Sequence, residues 1–303
     1  MKGATGSPTL RARAFVAMQY LLPQHLLSRK VRRLTRVRLR PFKNALIGAF
    51  MRHFQPDMSE ATNPDPLSYP TFNAFFTRAL KPGARPCDPD ARVFASPVDG
   101  TVSQIGRLEG ARILQAKGHE YTVEALLGGP SRWSERFSGG SFATLYLAPY
   151  NYHRIHMPAS AALREAWFIP GTLFSVNATT AAAVPGLFAR NERVILVFES
   201  GPLAFAVVLV GALFVGSMST VWHGEIAPSG PRVPSRLAPP EAVASRLEKG
   251  AELGRFNMGS TVIVLLPGGA VGWRPELAPG GSVKVGQTLG WLEAEAGTSS
   301  AAR

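Results

Sequence analysis

The chain has 303 residues, 46% of them hydrophobic and 17% charged, enough for a buried core in one large or two modest domains, which excludes a disordered chain. Its one cysteine, Cys87, excludes an internal disulfide and any metal or cluster site built from several thiolates, and fits a reducing compartment. The net charge of +13 is concentrated at one end: residues 1–56 hold 12 Lys/Arg and no Asp/Glu, against 21 and 20 in the remainder.

A basic head can face nucleic-acid phosphates or anionic lipid, and the apolar residues between the charges help to decide. Residues 15–22 form an apolar patch ended by Pro23, and Phe42, Leu46, Ile47, Phe50, Met51 and Phe54 recur at helical spacing. Such helices suit a membrane interface, with apolar side chains in the acyl boundary and each cation worth about 1 kcal/mol near an anionic surface. The alternative is a stripe packed on the protein's own body, its cations solvated. The first patch does not read as a signal peptide, because Gln19 and Pro23 interrupt it and no small-residue cleavage site follows.

The polar, Pro-rich stretch QPDMSEATNPDPLSYP reads as a linker, and residues 71–80, TFNAFFTRAL, as a short helix with Thr71 as N-cap. From Val93 the signals are mostly strands: VFASPVDGTVSQIG, FATLYLAP, RVILVFES, LAFAVVLVGA, STVIVLLP and GGSVKVGQTLGWLEA. Residues 202–218 come nearest to a membrane span but fall short of the roughly 20 residues required. Rich in Val and punctuated by Gly211 and Gly216, they read as two buried strands. The expected fold class is α+β, with basic amphipathic N-terminal helices and a β-rich, sandwich- or barrel-like catalytic domain. The division is a membrane-associating helical segment (1–56), a linker with a short helix (57–92), the β-rich domain (93–293) and a small, polar tail (294–303) expected to be disordered.

The sequence contains no GxxxxGK[ST] phosphate loop, GxGxxG, HExxH or GxSxG, so nucleotide hydrolysis, Rossmann dehydrogenation and ordinary serine-hydrolase chemistry lose support. Three stretches remain: ASPVDGTV with Asp99, LAPYNYHRIHMP with His153 and His156, and FNMGSTVIVLLP with Ser260. An acid, an imidazole and a hydroxyl are the parts that activate a weak nucleophile. Each alone has a plainer reading: Asp99-Gly100 as a hairpin turn, Ser260 as a strand entry, the histidines as isolated side chains. A metal pair in HRIH lacks a third ligand, so no metal is expected.

Taken together, VDG, HRIHMP and GST closely resemble the phosphatidylserine decarboxylase proenzymes, pyruvoyl-dependent membrane enzymes of the long bacterial type. FFTRALKPGARP, QAKGHEYTVEALLGG, GTLFSVN, LFARNERV, VGALFVGSMSTVW and GRFNMGSTVIVLLP extend the likeness in family order, from about Met18 to about Leu266. Many members carry Leu where this chain has Met258, a near-isosteric exchange expected to matter little. The resemblance implies self-cleavage between Gly259 and Ser260 into a β chain (1–259) and an α chain (260–303), with Ser260 becoming a pyruvoyl group. It implies that Asp99 orients His156, which deprotonates Ser260. His153 is expected as a proton donor or substrate contact. The pyruvoyl ketone would form a Schiff base with phosphatidylserine, which loses carbon dioxide to leave phosphatidylethanolamine. The implied setting is peripheral, on the cytoplasmic side of the cell membrane, with an anionic lipid surface as partner, the two chains still assembled, homodimers usual for the family, and no nucleic acid. Two rivals stay open at this point: a basic RNA-binding protein with a β scaffold, and a membrane scaffold that never cleaves.

Overall fold

The structure is a computed structural model that describes residues 10–214, 217–226, 233–237 and 246–293, with residues 11 and 12 by backbone alone. The expected disordered tail, 294–303, lies outside the described residues. Three helices open the chain: α1 (Leu10–Leu21), α2 (Gln24–Leu34) and α3 (Arg40–Phe54). Pro23 separates the first two, and Gln55 ends α3 in the left-handed conformation. The helix expected at 71–80 is only α4 (Phe72–Phe76). Thr71 caps it as expected, its hydroxyl accepting from Ala74 N at 3.0 Å. It stops early because the Thr77 hydroxyl bonds back to Asn73 O and the chain then extends to bridge Leu80 with Ala61.

The β-rich body is built from β1 (Val93–Ala95), β2 (Gly100–Arg107), β3 (Arg112–Ala116), β4 (His119–Thr122), β5 (Ser141–Tyr146), β6 (Arg154–His156), β7 (Ala162–Ile169), β8 (Arg193–Ser200) and β9 (Leu203–Val210). It continues with β10 (Met218–Thr220), β11 (Gly224–Ile226), β12 (Ser235–Arg236), β13 (Glu252–Phe256), β14 (Thr261–Leu266), β15 (Val271–Trp273), β16 (Ser282–Val283) and β17 (Thr288–Leu292). Eight strands form one antiparallel sheet in the order β12-β7-β8-β9-β14-β5-β2-β16, which is not closed into a barrel among the described residues. Smaller sheets, β1-β17-β15 and β11-β10-β13-β6, and the hairpin β3-β4 complete an α+β architecture.

The centre of the large sheet explains its sequence. β9 is an unbroken apolar run, and β8 and β14 are apolar over residues 194–198 and 262–266, because both of their faces are covered: every residue of β14, and all but one of β9, is buried. β14 pairs with β9 on one side and β5 on the other, Thr261 standing opposite both Val210 and Tyr146. Of the two buried strands expected in 202–218, one is β9, which takes up most of the stretch, and the other is β10, which only begins at Met218 and lies in a different sheet. Asp99-Gly100 is likewise no hairpin turn. It joins β1 to β2, which lie in different sheets, and Gly100 is required by close approach, since a Cβ there would meet Tyr146 O at 2.5 Å.

Part of the apolar stripe on α3 turns inward. Ile47 and Phe50 are buried with Met58, Ala61, Phe72, Phe75 and Phe76 in a second core. The first two helices dock through polar groups. Gln19 Oε1 accepts from Ser175 N at 2.8 Å and Gln24 Oε1 accepts from Leu173 N at 2.7 Å, while Gln24 Nε2 ties the helices together by donating to Gln19 O at 2.8 Å. Of the fifteen large apolar side chains exposed among the described residues, eight lie between Leu10 and Phe42, so much of the head's outer surface is greasy as well as basic. Among the described residues no helix is long and apolar enough to cross a membrane.

Because both glutamines satisfy otherwise buried backbone N–H groups, Gln24→Ala should cost about 1–3 kcal/mol. Hydrogen exchange should show faster amide exchange over residues 10–34, with the large sheet unchanged.

Candidate active site

The segment 257–260 crosses from the end of β13 to the start of β14 without regular structure. Ser260 extends β14 by one residue, its carbonyl accepting from Leu147 N at 2.8 Å. Its side chain is wholly buried, and Oγ has no hydrogen-bond partner among the described residues. A buried hydroxyl without a protein partner costs about 1–3 kcal/mol, so a fold that keeps one holds it against a penalty. Gly259 lies against His153: a Cβ added there would sit 3.1 Å from His153 Nε2 and 3.3 Å from Leu147 O. Any side chain at this position would press on the imidazole.

His153 is fully buried, its ring 4.2 Å from that of Phe76 between centroids. Burial, reinforced by the nearby charge of Arg78, pushes its pKa down to about 3, so the ring is neutral. Its Nδ1 lies 2.8 Å from Asn151 O, and a carbonyl only accepts, so the proton is on Nδ1 and Nε2 carries a lone pair. That lone pair has no hydrogen-bond partner among the described residues and lies against Gly259. His153, expected as a proton donor or substrate contact, presents Nε2 in this state as a proton acceptor.

His156 is built on the same plan. Nδ1 donates to Gly250 O at 2.8 Å, Nε2 accepts from the Tyr152 hydroxyl at 3.1 Å, and burial lowers its pKa. The orienting part expected of Asp99 is thus taken by a backbone carbonyl. Asp99 itself is buried and engaged elsewhere, accepting from Arg85 Nε at 2.9 Å and from Val285 N at 2.8 Å, though its charge still acts on His156. The structure places His153 against Gly259 and His156 within the field of Asp99, but does not close an Asp99–His156–Ser260 hydrogen-bonded relay. Arg85 competes for the carboxylate, and it wins because its fork meets both oxygens.

Several residues around the site carry no signal in the sequence pattern. Arg85 sits in KPGARP, where a Pro- and Gly-rich turn gives no hint of its partner. Arg78 is buried, with Nε and Nη1 unpartnered and Nη2 donating to Tyr150 O at 3.3 Å. Met258 packs against both cores. With Gly259 it borders an apolar cavity of about 560 Å³, whose other walls include Leu34 of α2, Phe50 of α3 and Phe76 of α4. The cavity thus lies between the basic helices and the Gly259-Ser260 junction. Among the described residues no group of three His, Cys, Asp or Glu is placed to hold a metal ion.

Comparison with protein families matches residues 72–291 to the family described as Phosphatidylserine decarboxylase and residues 14–55 to one described as PSD. Among curated proteins, the chain is similar to three phosphatidylserine decarboxylase proenzymes. That of Azotobacter vinelandii is 52% identical over 285 residues, covering 93% of this chain and 99% of the relative. Those of Pseudomonas fluorescens (50% over 282 residues) and Bordetella avium (49% over 282 residues) each cover 93% of this chain, and 98% and 95% of the relatives.

The neutral burial of His153 sets a pH dependence. Between an unfolded pKa near 6.5 and a folded one of about 3, the unfolded chain binds one more proton at this residue, so its contribution to stability falls as pH drops below 6.5. The difference in unfolding free energy between the parent chain and His153→Gln should shift by roughly 1.4 kcal/mol per pH unit at full effect. Parallel denaturant titrations from pH 7 to pH 4.5 measure it; a pH-independent difference would contradict the neutral assignment.

Proposed function

The chain belongs to the phosphatidylserine decarboxylase family, and from that membership we propose that it is a phosphatidylserine decarboxylase proenzyme, which cuts itself between Gly259 and Ser260 and then converts phosphatidylserine to phosphatidylethanolamine and carbon dioxide. The observation that carries the reading is the junction itself: a glycine against a bare imidazole nitrogen, followed by a buried serine hydroxyl with no bond to lose, at the edge of an apolar cavity.

In the cleavage, Ser260 Oγ attacks the Gly259 carbonyl carbon and gives up its proton to an imidazole. The peptide C–N bond breaks, leaving an ester and a free amine on residue 260. Loss of the residue-260 Cα proton and scission of its Cβ–O bond release Gly259 as a carboxylate and leave dehydroalanine. Tautomerisation and hydrolysis by one water expel ammonia and give the pyruvoyl group. Glycine suits the attacked position because its carbonyl is uncrowded, and the adjoining strand holds the nucleophile in place, so proximity replaces an encounter. The residues fit a pyruvoyl group, since converting a hydroxyl that makes no hydrogen bond breaks none. That group supplies a ketone that condenses with a primary amine and takes up the electron pair left as carbon dioxide departs.

For the proton transfers, the family pattern assigns His156 and Asp99 to cleavage and His153 to the substrate stage. His156 would exchange Tyr152 for Ser260, and Asp99 would act through its charge. The contact between His153 and Gly259 favours a second reading, in which His153 is the base of cleavage. The apolar cavity offers room for part of an acyl chain beside the junction, and the basic, greasy outer face of the helices supports a peripheral position on the cytoplasmic surface of the cell membrane. The resemblance extends to a homodimer.

Denaturing mass analysis should show loss of the 32.5 kDa chain in favour of fragments ending at Gly259 and beginning at residue 260. Ser260→Ala should keep the chain intact, and borohydride should trap a carbonyl on the small fragment. His156→Ala should stay intact while His153→Ala cleaves but loses decarboxylase activity; the reverse pattern would support the second reading. Retention on anionic vesicles at moderate salt, without retention on RNA, should hold for the intact protein. An unbroken chain with full decarboxylase activity would overturn the proposal.

A further inference from the structure

Two residues before the junction, Asn257 is buried and held by four hydrogen bonds. Its N–H donates to Ser217 O at 3.0 Å, its Nδ2 donates to Ser217 Oγ at 2.7 Å and Ser219 Oγ at 3.0 Å, and its carbonyl accepts from Asn73 Nδ2 at 2.8 Å. Two of these anchors lead to the same place. Asn73 N donates to the carbonyl of Thr35, the residue that ends α2, at 2.9 Å. Ser217 Oγ donates to Glu225, and Glu225 accepts from Arg32 Nε at 2.8 Å and Nη2 at 3.0 Å, and from Arg36 Nη2 at 2.6 Å. Arg36 also reaches Ser217 Oγ at 3.4 Å. Arg32, in the last turn of α2, and Arg36, just past its cap, present both guanidiniums to one carboxylate.

Between β13 and Ser260 the chain has no ladder of its own, so Asn257 fixes the upstream side of the junction while β14 fixes the downstream side. Attack by a serine on the carbonyl just before it demands close placement, and a displacement of about 1 Å from productive geometry can cost on the order of 100-fold in rate.

We propose that Asn257, Ser217 and Glu225 are positioning residues for self-cleavage, through which seating of the end of α2 sets the Gly259 carbonyl in line with Ser260. None of them touches the reacting atoms. The inference rests on the cleavage reading and adds an order of events: the basic helix seats first, and the chain cuts afterwards. A precursor whose α2 is displaced from Glu225 keeps its β body but holds the junction slack on one side.

Cell-free synthesis of the full chain, followed by a chase, tests this by the rate at which the 32.5 kDa species disappears. Asn257→Ala and Glu225→Ala should slow conversion at least tenfold, and Glu225→Gln, which keeps an acceptor for one guanidinium, by less. Because the delay lies in acyl transfer, hydroxylamine, which splits an accumulated ester at Gly259, should not release fragments from the slow variants. Ile113→Val, a core change in β3, serves as a control with lowered thermal midpoint and normal conversion. Should Glu225→Ala not fold, Glu225→Gln and Arg36→Lys carry the comparison. Conversion at the parent rate in Asn257→Ala and Glu225→Ala, a rapid hydroxylamine release, or equal slowing in the Ile113→Val control would each overturn the inference. A parent chain that never converts would overturn the cleavage reading instead.

Discussion

The structure turns on a serine hydroxyl held without a partner at the mouth of the most enclosed strand. Ser260 has β14 directly downstream, and β14 is locked between β9 and β5 with every residue buried. Nothing in that surround bonds Oγ. A folded protein keeps such an atom only when the neighbouring packing over-determines its place. Around it the same logic repeats: His153 has its proton pinned by a backbone carbonyl, its other nitrogen bare, and its neutrality enforced by burial and by Arg78. Reactive groups here are made by withholding partners, while the surrounding sheet bears the energetic burden.

The N-terminal helices belong to this arrangement as much as the sheet does. Their outer side carries the cations and exposed apolar residues, yet their inner side is not a greasy stripe alone. Buried Gln19 and Gln24, and the Arg32 and Arg36 pair on Glu225, give the docking a fixed register that apolar packing by itself leaves loose. The apolar cavity then opens between those helices and the junction, so the element suited to a lipid surface and the element suited to chemistry share one wall.

How much of this could be read from the letters depends on the kind of interaction. β8, β9 and β14 were legible because a continuous apolar run of five to eight residues is too short for a buried helix and suits a strand covered on both faces. Thr71 as an N-cap was legible because capping is local. The length of α4 was not, since the Ala61–Leu80 bridge that ends it is a contact between distant segments. At the site, the motifs named Asp99, His153, His156 and Ser260 but could not say which hydrogen bonds each would make. Arg85, Gly250 and Asn151 decide that, and two of them act through backbone carbonyls that no side-chain pattern reports. The reading of Asp99-Gly100 as a hairpin failed for a similar reason: the glycine serves a close approach to Tyr146, not a turn.

The portion of the chain after Gly259 supplies β14 to the centre of the large sheet, β16 to its edge, and β15 and β17 to the sheet that holds β1. Once the bond is cut, two polypeptides remain interleaved through two separate sheets. Unfolding would then yield two molecules from one, and reassembly would become a second-order event governed by dilution. Maturation on this plan is a ratchet: the severed product preserves a shape that it no longer encodes in one piece.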